Sequence, residues 1–364
     1  RDVLFDKDGK LTEQGRLQLK DVSRGYVSYL RGENPITFPI RIYPNSLKKI
    51  GQQGRVYPVY TDKNLKQKCI VNATNSPSKN LVGGVVQTKL KFLHLLGSKL
   101  SGFQYKVYTR SIDLLLQNTP DLDITMRGNI NPILDNIMLT QISNMVYPLD
   151  KPDMDDLQKH YGPLGLKQCM IRKGSKYTYS PKLLREYGPF FDKDILPNYS
   201  TKIATILDTI DNSEGIVFVY TNYVDSGIVP LKLALEQNGY VNHTGHDCLD
   251  YPDYSSRSEG QCKREGISYD GFRKSETDNF KQATYMVIDG SVNRKVLQEQ
   301  LKIVTSPENS KGQKIKVILG TVVASEGLDF KRIRSIHILD PWPHLNRMEQ
   351  TVGRGIRFCS HSDL

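Results

Sequence analysis

A regular alternation of apolar runs and helical segments begins near residue 196 and constrains the fold of the C-terminal half. The pattern predicts helices at 200–210, 228–238 and 292–304, and strands at 215–220, 285–288, 315–319 and 333–339. Short apolar runs that alternate with helical segments indicate parallel strands buried on both faces by helices. Residues 196–364 are therefore predicted to form an α/β lobe, with its ligand site at the carboxyl ends of the strands.

The preceding residues follow a different pattern. Thr12 is predicted to cap a helix that runs through Leu17 and Leu19, and another helix is expected near 131–146. Residues 105–108 resemble a strand, and the stretch near 177–190 is rich in tyrosine and proline. We predict a mixed α+β insert domain at 1–195 and an irregular insertion at about 242–282 within the lobe.

The positive charge of the chain is concentrated in one segment. The whole chain has a net charge of +11, and residues 41–110 alone contain 13 basic residues and one acid, Asp62. A localised basic surface is typical of proteins that bind polyanions. Tyrosine and phenylalanine are interleaved with these basic residues, which suits binding of single strands or of the nucleic-acid backbone.

Five lysines in this segment are therefore candidate nucleic-acid contacts: Lys48, Lys49, Lys63, Lys66 and Lys68. Two other interpretations stay open, a solvated basic face and a surface that docks an acidic partner subunit. Charge neutralisation at these positions would distinguish them, because counterion release makes phosphate binding depend on salt.

Membrane and disulfide-rich classes do not fit the composition. No apolar run approaches the roughly 20 residues that span a bilayer, so no membrane partner is expected. The five cysteines are odd in number and widely spaced, which is typical of a reduced, intracellular protein. Because the chain starts at Arg1 and has no leader segment, we expect it to be an excerpt of a longer protein.

Polar residues and glycines follow the predicted strands. These positions hold Thr221, Asp289-Gly290-Ser291, Gly320-Thr321 and the segment from Ala324 to Asp329. Ser291 is placed to cap the next helix. After the last strand comes Gln350-Thr-Val-Gly353-Arg354-Gly355-Ile-Arg357. Arginine binds phosphate oxygens in a two-pronged geometry, and glycine permits close backbone approach.

In this order the motifs resemble those of the second RecA-like lobe of superfamily 2 helicases. The residues of these motifs are most similar to those of helicases and transcription NTPases of large nucleocytoplasmic DNA viruses, including the poxvirus early transcription factor helicase subunit. Residues 25–35 also resemble, more loosely, the segment between the two lobes of those proteins. The resemblance implies a RecA-like lobe at 196–364 and an inter-lobe region at 1–195.

The resemblance also implies roles for individual residues. Arg354 and Arg357 would be arginine fingers that reach the γ-phosphate of ATP, with Gln350 sensing the nucleotide. Gly327, Asp329 and Gly353 would lie on the nucleotide side. The residues implied to hold the nucleic-acid backbone are Thr321, Gly290, Ser291 and Thr221.

The sequence lacks the partner elements of an ATP site. It contains no Gly-x-x-x-x-Gly-Lys-Ser/Thr loop and no Asp-Glu dipeptide. These elements cradle the phosphates and hold Mg²⁺ in NTPases of this kind. We expect an N-terminal lobe outside this chain to supply them, so the chain alone is predicted not to hydrolyse ATP.

A cluster of histidines and cysteines presents an alternative that involves a metal. His243, His246, Cys248 and Cys262 are four candidate zinc ligands. Their spacing fits no standard pairing, so we predict no metal site. Metal analysis of the purified protein tests the zinc hypothesis.

Taken together, the resemblance implies the C-terminal portion of an ATP-dependent helicase or translocase that acts in viral transcription. ATP and Mg²⁺ are the implied cofactors. DNA or RNA, bound mainly by its backbone, and the viral transcription machinery are the implied partners, in cytoplasmic factories of the host or in virions. Two alternatives remain: a non-catalytic transcription-factor or assembly module that keeps the helicase fold, and a translocase that never separates strands.

Overall fold

The structure is a computed structural model. It describes residues 12–23, 98–117, 132–149, 156–250, 267–268, 281–290, 292–325, 328, 330–341, 345–355 and 360–361.

The described helices are named in chain order. They are α1 Glu13–Ser23, α2 Gly102–Gln117, α3 Pro132–Asn144, α4 Gly162–Cys169, α5 Pro181–Tyr187, α6 Thr201–Asn212, α7 Val229–Gln237, α8 Arg294–Val304 and α9 Leu345–Val352. The strands are β1 Met170–Lys173, β2 Lys176–Tyr179, β3 Ile216–Tyr220, β4 Val241–Asn242, β5 Thr284–Ile288, β6 Val317–Gly320 and β7 Ile333–Ile338.

A five-stranded parallel sheet forms the centre of the lobe. Its order is β4-β5-β6-β3-β7, and every neighbouring pair is parallel. Strands β3 and β6 are buried along their whole length, as expected for parallel strands covered on both faces. The predicted α/β fold with a parallel sheet is therefore confirmed. The insert domain predicted for 1–195 stays a prediction as a unit of its own.

Side chains of β3 alternate between two different cores. Val217 and Val219 belong to a large core that also contains residues of α2 to α7; we name this side of the sheet the helix face. Ile216, Phe218 and Tyr220 belong to a smaller core with α8 and Phe330, and we name this side the motif face. The period of two along the strand thus divides the lobe into two layers.

The described part of residues 98–195 packs on the lobe. Val107 of α2 and Ile142 of α3 share one continuous core with Ile203 of α6 and the helix face of the sheet. Ser200 caps α6 by accepting a hydrogen bond from Ile203 N at 3.1 Å, and its hydroxyl donates to the carbonyl of Asn144 at 2.5 Å. The boundary predicted at 195/196 stays a prediction, but these described regions are joined by packing.

One local prediction before the lobe is confirmed and another is wrong. The helix capped by Thr12 is confirmed, since Gly15 N donates to Thr12 Oγ1 at 2.9 Å and α1 follows. The strand predicted at 105–108 is wrong, because these residues lie within α2. The alternation at Tyr105 and Val107 resembles that of a strand. The buried residues, however, follow a helical spacing, with Gln104, Val107 and Ser111 on one side.

The tyrosine-rich stretch contains an antiparallel hairpin that the sequence pattern did not predict. Strands β1 and β2 pair from Met170↔Tyr179 to Lys173↔Lys176, and α5 follows directly.

The predicted cap of α8 is also wrong. This helix begins at Arg294, where Asn293 accepts a hydrogen bond from Lys295 N at 2.9 Å, whereas Ser291 lies outside the described residues.

None of the helices in the described part of the chain combines the length and the apolar character that crossing a bilayer requires.

Candidate functional site

The residues that follow three strands lie side by side at one edge of the sheet. Thr321 N donates to Ile288 O at 3.1 Å, Thr221 N donates to Gly320 O at 3.0 Å, and Leu339 N donates to Tyr220 O at 2.9 Å. These bonds extend β6, β3 and β7 by one residue each. The motifs predicted to meet at the strand ends therefore do meet there, as parallel strands require.

A buried carboxylate, Asp340, joins the ends of β3 and β7. Thr221 Oγ1 donates to Asp340 Oδ1 at 2.5 Å. Asn222 donates to Asp340 Oδ2 through its backbone N at 2.8 Å and through Nδ2 at 2.6 Å. Burial raises the pKa of Asp340, while these hydrogen bonds act in the opposite direction.

The same network extends into the helix face. Asn144 at the end of α3 donates from Nδ2 to Asp340 Oδ1 at 3.3 Å. Lys202 Nζ in turn donates to Asn144 Oδ1 at 3.0 Å and to Ser143 Oγ at 2.8 Å. Burial lowers the pKa of Lys202 to about 8, although Asp340 opposes this change. A lysine and a carboxylate linked through an asparagine thus fix α3 and α6 to the strand ends.

Thr221 is completely buried in this arrangement. The turn Val224–Ile228 packs on it so closely that a Cβ atom added at Gly227 would lie 2.8 Å from Thr221 Cγ2. The hydroxyl of Thr221 is used within the protein, in its bond to Asp340. Its contact with nucleic acid stays a prediction.

Gly290 and Thr321 follow the adjacent strands β5 and β6. Among the described residues, no atom lies within 4 Å of a Cβ built at Gly290. Thr321 is 8% exposed, and its carbonyl accepts a hydrogen bond from Ala324 N at 2.8 Å. Their contacts with a nucleic-acid backbone remain predictions.

The arginine-containing turn lies beside the segment that follows β6. Arg354 O accepts a hydrogen bond from Phe330 N at 3.3 Å, and Arg354 Nη1 donates to Leu328 O at 3.4 Å. Gly353 N donates to the carbonyl of Glu349 at 2.8 Å, which ends α9 in a tight turn. Gln350 is exposed on α9. The structure therefore places Gln350 at the end of α9 and Gly353 and Arg354 in the turn that follows it, where Arg354 contacts Leu328 and Phe330.

Gly355 allows this turn to pack directly on β7. A Cβ atom added there would lie 2.8 Å from Ile336 Cδ1 and 3.2 Å from Ile333 Cβ. Ser360 lies beside the start of β7, since Arg332 N donates to the carbonyl of Ser360 at 2.9 Å. His361 Nε2 also lies 2.7 Å from the carbonyl of Ile333.

Several predicted site residues lie outside the described residues, and their roles stay predictions. They are Lys48, Lys49, Lys63, Lys66, Lys68, Ser291, Gly327, Asp329 and Arg357.

The candidate zinc cluster is described only in part. Cys248 is buried, and its backbone N donates to Glu236 Oε1 at 2.9 Å. Burial, together with Glu236, raises the pKa of the Cys248 thiol to about 12, which disfavours the thiolate that binds metals. Among the described residues no group of three or more His, Cys, Asp or Glu side chains could hold a metal ion, and Cys262 lies outside them.

Sequence reasoning missed the polar residues that hold the strand ends together: Asp340, Asn222, Asn144 and Lys202. One signal was present, because an aspartate that directly follows an apolar strand must find partners if it is buried. The partners themselves could not be predicted, since Asn144 is 196 residues away in sequence.

Comparison with known proteins bears on the same residues. The model of the helicase conserved C-terminal domain family matches residues 263–359. Residues 263–359 therefore resemble the C-terminal domain of helicases. This match includes β5 to β7, α8 and the turn of Arg354.

Several relatives in sequence are proteins of large DNA viruses. A protein of Acanthamoeba polyphaga mimivirus named as an ATP-dependent RNA helicase is 24% identical over 367 residues, which is 100% of this chain and 44% of the relative. A protein of Invertebrate iridescent virus 3 named as a helicase is 29% identical, covering 56% of this chain and 18% of the relative. A termination factor NPH-I homolog of African swine fever virus is 29% identical over 46% of this chain and 24% of the relative.

These matches confirm the resemblance to superfamily 2 helicases of large DNA viruses. The chain spans less than half the length of each of these curated relatives. Among solved structures, the C-terminal part of the Fun30 ATPase domain aligns over 71% of this chain and 78% of that chain, with 11% identity and a TM-score of 0.36. The fold is established by the order of the strands in the sheet. No conclusion about the fold is drawn from this structural match, because its TM-score is low.

Proposed function

We propose that the chain is the C-terminal portion of an ATP-dependent nucleic-acid helicase or translocase that acts in viral transcription. One observation supports this most directly: Arg354 is hydrogen-bonded through its backbone to Phe330 and through its side chain to Leu328. An arginine whose position is fixed by the fold suits a phosphate site between two lobes.

The residues present fit one side of such a site. Arg354 and Arg357 would bind the γ-phosphate, and Gln350 would sense it from the exposed side of α9. Gly327, Asp329 and Gly353 would lie along the nucleotide. Arginine fingers stabilise charge on the transferred phosphoryl oxygens. The loop that cradles the phosphates and the Mg²⁺ ligands would come from a second lobe, because these 364 residues contain neither motif.

Nucleic acid would bind at the same edge of the sheet. Gly290, Ser291 and Thr321 follow adjacent strands and would contact the phosphate backbone through N–H and hydroxyl donors, which do not distinguish sequence. Thr221 would contribute by fixing the strand end, because its hydroxyl already donates to Asp340. ATP-dependent closure of the two lobes would move this surface along a strand.

The setting is also a proposal. One relative is named as a termination factor homolog and others are named as viral helicases. We therefore propose action together with a viral transcription machinery, in cytoplasmic factories or in virions.

The decisive variant is Arg354→Ala in a protein that joins this chain to a lobe with the phosphate-binding loop. Loss of an arginine finger should lower the rate of nucleic-acid-stimulated ATP hydrolysis by about 10³- to 10⁵-fold, measured as phosphate release. Arg294→Ala, an exposed arginine on α8, is the matched control and should retain the wild-type rate.

An unchanged rate in Arg354→Ala would contradict the assignment of this arginine. Hydrolysis of ATP by the 364-residue chain alone would contradict the proposal that a second lobe is required. A strand-displacement assay beside the ATPase assay separates the helicase from its alternatives: a translocase hydrolyses ATP without separating strands, and a non-catalytic module does neither.

A further inference from the structure

The hairpin β1–β2 and the helices on either side of it form a strongly basic surface. Residues 161–185 contain six basic residues and no acidic residue. All six are exposed, and together they define the basic hairpin surface: Lys167, Arg172, Lys173, Lys176, Lys182 and Arg185.

The tip of the hairpin places two like charges directly opposite each other. Lys173 and Lys176 are paired in register, so their side chains project from the same side of the hairpin. Like charges in directly opposed positions destabilise a hairpin. A bound anion between them would remove this repulsion.

The base of the hairpin is firmly anchored. Tyr179 is 1% exposed, its hydroxyl donates to Gln237 Oε1 at 2.9 Å, and its ring packs edge-to-face on Phe190 at 5.1 Å. Tyr177 N donates to the carbonyl of Cys248 at 2.6 Å. The guanidinium of Arg172 lies 5.6 Å from the centre of the Tyr177 ring. The basic side chains thus project from a support that is already ordered before a ligand binds, which lowers the entropic cost of binding.

The hairpin is attached to the lobe through the end of α7. Helix α7 follows the turn that packs on Thr221 and ends at Gln237, which holds Tyr179 of the hairpin. The basic side chains of the hairpin are different residues from Gly290 and Thr321, so a ligand bound by them would make an additional contact.

We propose that the basic hairpin surface binds the phosphate backbone of a nucleic-acid strand, as a second contact besides the strand ends. This inference rests on the proposed function, which supplies the nucleic acid. The chemistry favours phosphates over an acidic protein, because protein interfaces centre on aromatic and apolar anchors. Here Tyr177 and Tyr179 are buried, and the exposed large apolar side chains of this segment, Leu164 and Ile171, are outnumbered by the six lysines and arginines.

The test neutralises the tip with the double variant Lys173→Gln and Lys176→Gln in the 364-residue chain. Binding of a fluorescently labelled single-stranded DNA is measured by anisotropy over a series of salt concentrations. On a single strand each lost phosphate contact should reduce the salt slope by about 0.7. The double variant should therefore lose about 1.4 from the slope, and its affinity at low salt should fall by roughly tenfold or more.

The matched control is Lys302→Gln with Lys311→Gln, which removes the same charge from exposed positions outside the hairpin. The control should keep the wild-type slope, and Lys173→Arg with Lys176→Arg should keep both slope and affinity. Thermal melting of each variant confirms that it is folded.

Equal slopes for the hairpin variant and the control would overturn the inference and leave the proposed function standing. Unchanged DNA binding with loss of binding to polyglutamate would overturn it in favour of an acidic protein partner. Failure of the wild-type chain to bind DNA at any salt concentration would overturn both this inference and the nucleic-acid contacts proposed for this lobe.

Discussion

The two faces of the central sheet are held in different ways. On the helix face a large apolar core is accompanied by buried polar side chains, in which Asp340, Asn144 and Lys202 link helices to strand ends. On the motif face the core is smaller, and the turn of Arg354 is held mainly by backbone hydrogen bonds and by the close approach of Gly355 to β7.

This difference follows from the partners of each face, which are protein side chains on the helix face and, in the proposed function, a ligand on the motif face. Side chains on the helix face are free to bond to one another, so they stabilise the position of the strand ends. On the motif face the backbone supplies much of the attachment: Arg354 accepts at its carbonyl from Phe330 N, and its Nη1 also donates to Leu328 O. Glycine serves this purpose because it lets the backbone approach the sheet without a Cβ atom in between.

The largest effect is expected on the helix face. Asp340→Ala would leave the Asn222 amide and the Thr221 hydroxyl without their acceptor and would remove the negative charge near Lys202. Removal of one member of a buried charged network costs about 3–5 kcal/mol, so the free energy of unfolding should fall by that amount in urea denaturation. Asp113→Ala, an exposed carboxylate on α2, is the matched control. If both variants lost equally little stability, the network would not hold this face.

A smaller effect is expected on the motif face. Gly355→Ala places a methyl group 2.8 Å from Ile336 Cδ1, and overpacking of this kind costs about 1–3 kcal/mol. Gly290→Ala meets no atom of the described residues within 4 Å and should change the free energy of unfolding by less than about 0.5 kcal/mol. Thermal denaturation of the two variants compares them directly. Equal melting temperatures would show that the turn does not depend on close packing against β7.

The smallest effect is expected in the pH dependence of stability, which tests Lys202 on the helix face. The pKa of Lys202 is lowered by burial from 10.5 to about 8. Between these values the unfolded chain keeps the proton and the folded chain releases it, so stability due to Lys202 rises with pH in this window and is lost as pH falls through about 8. The melting temperature of the wild type relative to Lys202→Met should therefore increase by a few degrees between pH 8 and pH 10. Lys232→Met, on α7, provides the control.

Much of the lobe could be predicted because its signals are local. Strands β3 and β6 are continuous apolar runs, and Ser200 stands where a helix cap is expected. The order of the polar strand ends also predicted correctly that they meet at one edge. The side-chain partners at that edge could not be predicted, because Asp340 is joined to residues more than a hundred positions away.

The region before the lobe was predicted less well for a related reason. Helix α2 shows an alternation of aromatic and polar residues that resembles a strand, and only its packing against α3 decides the helical conformation. The hairpin β1–β2 is four residues per strand, too short for its pattern to be distinctive. Both elements are stabilised by contacts with the lobe.

The sequence by itself determined the parallel sheet, the order of its motifs and the resemblance to superfamily 2 helicases, because periodicity and motif spacing are properties of neighbouring residues. Only the tertiary structure decided that Thr221 is buried against Asp340, that Arg354 lies on residues 328–330, and that six basic residues surround an anchored hairpin. These arrangements depend on which distant side chains share a core, and hydrophobic burial selects that arrangement for the chain as a whole.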